Sequence, residues 1–149
     1  PGESINLPVW IVNMGAANGR DVYGTLHSVD SFITITDSIK PYLDIPGFDS
    51  AYSGDDGYHF MVRPDCPDGH LIDLSLICRD SYDSTWRSFF SLKVFATILH
   101  FHDAVVTGGN GNTIIEPGET VSVRVNLRNS GSVGLNNATA VMTASSPYA

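Results

Sequence analysis

Apolar side chains recur at every second position in one segment after another of this chain. Ile5, Leu7, Val9 and Ile11 alternate with Asn6, Pro8, Trp10 and Val12, and Ile72, Leu74, Leu76 and Cys78 repeat the pattern. Successive side chains of a strand point to opposite faces, so a period of two marks a strand with one buried side. The pattern predicts strands over 5–12, 22–28, 32–37, 58–63, 71–79, 85–95, 98–105, 120–128 and 138–144. Residues 38–56 are poorly patterned, with a short edge strand expected over 42–45. Pro8 cannot donate to a ladder, so its strand should have a free side. Turns are expected over 13–19, 64–70 and 80–83. No segment joins a 3.6-residue period to helix caps. Strands punctuated by turn signals every ten residues or so indicate an antiparallel β-sandwich.

Length and charge narrow the possibilities. The 149 residues suit one domain, or one and a fraction, and 42% hydrophobic content is enough for a packed core. Sixteen acidic residues against eight basic ones give a net charge of −8, and the only lysines are Lys40 and Lys93. Nucleic-acid binding needs clustered cations, so no nucleic-acid partner is expected. No run approaches 18 apolar residues, and no membrane insertion is expected. The chain opens Pro1-Gly2-Glu3 without a leader, which reads as a processed or excised piece. Abundant Asp, Ser and Thr with scarce Lys fits a secreted or cell-surface module.

The opening tripeptide recurs as Pro117-Gly118-Glu119, an offset of 116 that continues without a gap. Ile5, Leu7, Val9 and Ile11 then lie over Val121, Val123, Val125 and Leu127. Asn13 lies over Asn129 and Gly15 over Gly131. Six of the 33 overlapping positions are identical, so the argument rests on the conserved apolar phase and turn position. An internal repeat of sandwich-domain size follows. The chain then holds one full period, cut out of register, plus the start of the next.

Three stretches carry a family resemblance. They are the loop from Gly108 to Glu119 with its Val-x-Val-x-Val-x-Leu-x-Asn-x-Gly continuation, the corner Pro64-Asp65-Cys66-Pro67-Asp68-Gly69-His70, and Trp86 leading into Phe90-Ser91-Leu92-Lys93-Val94. Together they resemble the bacterial immunoglobulin-like repeats related to CARDB adhesion modules. Such repeats occur in tandem on secreted proteins, including regions downstream of gingipain-type cysteine peptidases of the Bacteroidetes. The resemblance implies an all-β, immunoglobulin-like antiparallel sandwich of about seven strands. It divides the chain into 1–95, a unit lacking its first strand, and 96–149, the first three strands of the next. It further implies an extracellular spacer, adhesin or filament component, with no enzymatic role.

Several residues are candidate sites. Cys66 precedes the 71–79 strand and Cys78 lies near its far end. Seven strand residues span roughly 23 Å, far beyond disulfide reach, so no Cys66–Cys78 bond is expected. Cys78 reads as a small core hydrophobe, and Cys66 as free or bridged to another copy. His70 is near Cys66 in sequence, but no third group is visible to orient it. Asn110, Asn112, Glu116 and Glu119, joined by Asp103, form a candidate Ca²⁺ loop, whose alternative is a plain Asn/Gly turn. His100 and His102 share a strand face without a third zinc ligand, and Asp55-Asp56 reads as a solvated acidic turn. Trp10 is expected on the outer face as a partner or sugar contact, or packed on an edge loop. Ser38, Ser50 and Ser84 sit in Asp-Ser-x signals resembling those of Bacteroidetes O-glycosylation, and Asn137 opens an N-glycosylation sequon.

The expected role is a non-catalytic extracellular building block or spacer of a surface or filamentous assembly. Its partners would be other copies, neighbouring repeats, glycans or cell-surface proteins, and strand complementation between copies is one way to join them. The alternatives are an accessory module of a secreted gingipain-like peptidase or other hydrolase, and a calcium- or glycan-dependent adhesin domain. No cofactor is expected beyond the candidate Ca²⁺.

Overall fold

The structure, a computed structural model, describes residues 1–143 and 145. Among these, all regular secondary structure is strand and all pairing is antiparallel. The chain forms two compact units, Pro1–Ala96 and Thr97–Ala149.

Unit 1 holds β1 (Ser4–Leu7), β2 (Trp10–Val12), β3 (Gly19–His27), β4 (Ile33–Asp37), β5 (Ile39–Ile45), β6 (Ser50–Tyr52), β7 (Tyr58–Val62), β8 (Leu71–Arg79) and β9 (Thr85–Lys93). A four-stranded sheet runs β5-β3-β8-β9, a three-stranded sheet runs β1-β7-β4, and β2 pairs with β6. The core lies where β3 and β8 face β7 and β4. Leu26, Tyr58, Phe60, Ile72, Leu74 and Leu76 are its centre, each almost fully buried. Along β7 and β8 the buried residues fall at every second position, as the alternation requires.

The single strand expected over 5–12 is broken at Pro8. β1 pairs with β7, and after the break β2 pairs with β6. Ser53 bridges the gap: its N–H donates to the Val9 carbonyl at 3.0 Å, and its hydroxyl accepts from the Val9 N–H at 2.9 Å. Gly57 closes the same corner, where a Cβ would fall 2.3 Å from the Leu7 and Pro8 backbone.

Residues 38–56 are more ordered than their pattern predicts. β5 spans seven residues rather than four. It runs through Pro41, which an edge strand tolerates, and a bulge at Leu43 (φ 60°) scrambles its alternation. β6 is three residues long, too short to show a period.

Unit 2 contains β10 (Leu99–Gly108) and β11 (Val121–Asn129), paired as a hairpin with a bulge between Phe101 and Asp103. The strand expected over 138–144 does not form across 138–143, and Ala144 lies outside the described residues. The two stretches related by the offset of 116 also differ in path. Arg124 stands where the first stretch has Pro8, so β11 runs unbroken while β1 and β2 are separate.

Candidate functional site

The inner face of the β8–β9 hairpin is covered at one end only. Cross-strand pairing sets Ile72 opposite Leu92, Leu74 opposite Phe90, Leu76 opposite Ser88 and Cys78 opposite Trp86. On β8 the inward residues are buried through Leu76, and Cys78 is half-buried. On β9 cover falls steadily: Phe90 and Leu92 are half-buried, Ser88 is exposed, and Trp86 is 51% exposed. The three-residue β2 is too short to cover this end, and among the described residues neither β2 nor β9 has a second strand partner.

A groove of about 1030 Å³ results, walled by residues 9–19 on one side and by the β8–β9 hairpin on the other. Ile11, Val22, Ile45, Leu76 and Cys78 supply its apolar lining, with Trp86 and Phe90 along the β9 side. The strands flanking it, β2 and β9, are both sheet edges. Backbone N–H and C=O groups on such edges are free to pair with an added strand.

Local hydrogen bonds fix the rims. Asp80, itself buried, accepts from the Tyr82 N–H at 3.0 Å and the Ser84 N–H at 2.9 Å, shaping the hairpin turn and leaving Tyr82 exposed. Asn13 donates to the carbonyls of Ala17, Ile45 and Pro46 and accepts from the Gly15 N–H, holding the opposite loop. Gly47 packs against that loop, where a Cβ would meet the Ala16 carbonyl at 2.2 Å. Burial pushes the Cys78 thiol up, leaving it a neutral wall group. Trp10 is exposed, as expected, and stacks on Tyr52 with ring centroids 4.9 Å apart.

Cys78 packs against the core, as its phase predicts, but is only half-buried. Both cysteines are free, and Cys66 is the buried one, 3% exposed, whereas Cys78 borders the groove. Burial, then the carboxylate of Asp30, raise the Cys66 thiol. His70 does have an orienting partner: its Nε2 lies 2.7 Å from Asp30 Oδ2, and Phe32 packs edge-on against the ring. Forty residues separate the pair in sequence, which hid it. Asp56 is not simply solvated, because it bonds His59 at 2.7 Å and Lys40 at 3.2 Å; Lys40 also pairs with Asp37 at 2.7 Å.

In unit 2, Asn110, Glu116 and Glu119 come together. The Asn110 side chain donates to Glu116 Oε2, and the N–H groups of Asn110 and Glu116 donate to Glu119. Asn112 closes the turn by donating its N–H to Asn110 Oδ1. Asp103 is not with them. It sits mid-strand, opposite Asn126 and hydrogen-bonded to it, five residues before the loop begins at Gly108. Among the described residues no three His, Cys, Asp or Glu side chains converge as a metal site, and this includes His100 and His102. Ser50, Ser84 and Asn137 are exposed and Ser38 is half-buried between β4 and β5.

No family model matches this chain, and no curated protein or solved structure matches it.

Proposed function

We propose that this chain is a non-catalytic, immunoglobulin-like building block of a secreted or cell-surface assembly, and that unit 1 joins other copies by accepting an extended apolar segment along its groove. One observation carries the reading. Trp86 has the inward phase of a core residue yet is half exposed, in an apolar groove flanked by two strand edges. Isolated exposed apolar residues are ordinary, whereas a contiguous apolar groove beside free strand edges has the form of a strand-addition site. Sedimentation velocity tests it. The full chain should associate with rising concentration, and Trp86→Glu should remain monomeric while still unfolding in one cooperative transition. Association unaffected by Trp86→Glu would overturn it.

The Trp10–Tyr52 stack favours a second reading, a sugar platform, since exposed aromatic faces stack on pyranose rings. A glycan array read with the wild type and Trp10→Ala distinguishes this adhesin role: binding lost in Trp10→Ala supports it, and no binding removes it.

A further inference from the structure

We infer that the segment entering the groove is β11 of a second copy, added antiparallel to the free edge of β9, so that copies join head to tail. This rests on the acceptor reading above and adds the donor. β11 belongs to a two-stranded hairpin, so its edge away from β10 is unpaired among the described residues. Register places Val123 opposite Val106, Val125 opposite Ala104 and Leu127 opposite Phe101, which makes one face of the hairpin apolar. That face is exposed: Val123 by 37%, Val125 by 42% and Leu127 by 45%. An isolated two-stranded hairpin is marginal in water and gains most from a third strand. β10 is bulged between Phe101 and Asp103, whereas β11 is regular, so β11 offers the better edge.

Strand length agrees with this pairing. β9 and β11 each run for nine residues without proline. β9 carries Arg87 and Lys93, β11 carries Arg124 and Arg128, and neither strand holds an acid, so like charge limits how the two can align. An antiparallel register in which no two cations are directly opposite sets Arg124 beside Phe89 and Asn126 beside Arg87. It also sets Leu127 beside Trp86, Val125 beside Ser88 and Val123 beside Phe90, so the apolar face of β11 extends the inner face of β9 over the groove. Acceptor and donor are different surfaces of one chain. The contact is therefore heterologous, and head-to-tail repetition of it builds open chains or closed rings.

Two full-length variants test the inference. Trp86→Glu blocks the acceptor, and Val125→Glu blocks the donor. Each alone should sediment as a monomer, and an equimolar mixture should give a heterodimer that grows no further. As a check independent of how either variant folds, Ser88→Cys with Val125→Cys in one chain should form intermolecular disulfides between those positions, mapped by peptide mass spectrometry. If Val125→Glu still associates while Trp86→Glu does not, the acceptor stands and the β11 donor is overturned. If Trp86→Glu and Val125→Glu both associate like the wild type, or if the wild type itself never associates, both readings fall. A wild type that stops at a symmetric dimer overturns the head-to-tail arrangement.

Discussion

A methyl group at Gly24 would lie 2.5 Å from the Tyr58 hydroxyl and 2.9 Å from the Tyr42 ring. The two phenols meet at 3.3 Å, with Tyr58 donating to Tyr42, and burial pushes both upward, so they are neutral core groups. Gly24→Ala should therefore cost about 1–3 kcal/mol by overpacking, read as a lower urea midpoint at constant slope. The Asp30–His70 pair gives a pH signature. Burial raises the Asp30 carboxyl, but the Phe32 N–H and the His70 imidazole together outweigh it, and the carboxyl sits below its ordinary value of 3.8. A folded-state value below the unfolded one stabilises above the unfolded value, and that stabilisation is lost as pH falls through the folded one. The melting-temperature gap between wild type and Asp30→Asn should be full near pH 6 and close below about pH 4. A gap independent of pH would disprove the linkage. The alternation in sequence marks Cys78 as inward-facing, and it is. It could not show that cover ends beyond Leu76, nor that the 64–70 corner folds Cys66 into the core.

At the scale of elements, β8 and β9 form one hairpin with two unlike ends. Leu74 is fully packed between sheets, and truncation to Ala should cost about 2–5 kcal/mol. Trp86 faces the same way but lies where cover is missing, so Trp86→Ala should cost less, about 1–2 kcal/mol in the monomer, because half of its area is already in water. Denaturant titration of both variants compares them, and equal costs would mean that the groove is closed in solution. Hydrogen exchange offers the matching view: β8 amides, paired on both sides, should exchange more slowly than the β9 edge or the β10–β11 hairpin in dilute protein. The lengths of β7, β8, β9 and β11 were nearly legible because each presents one apolar face. β5 and β6 were not, since a bulge, a proline and a three-residue length leave no period to read.

For the whole molecule, the expectation of a sandwich is met by unit 1, where the sheets β5-β3-β8-β9 and β1-β7-β4 share one core. Among its described residues, unit 2 holds one hairpin with an exposed apolar face. A molecule with an open groove in one unit and an uncovered strand in the other should bind a hydrophobic dye such as ANS in dilute solution and lose that binding as it associates. Dye binding that stays constant through association would mean that these two surfaces are not the ones that meet. The candidate calcium loop is a hydrogen-bonded turn. Asn110 and Asn112 make side-chain bonds to N–H groups two residues on, and Glu116 and Glu119 accept from loop N–H groups.

The amino-acid sequence alone determined that this protein is built of antiparallel strands, where most of them run, and which side of each faces inward. Those properties follow from local periodicity and turn chemistry. Tertiary structure decided which inward faces are actually covered, which carboxylate His70 finds and which cysteine lies deepest in the core. Each of these depends on segments tens of residues apart arriving at the same place, and a period of two carries no record of what lies across from it.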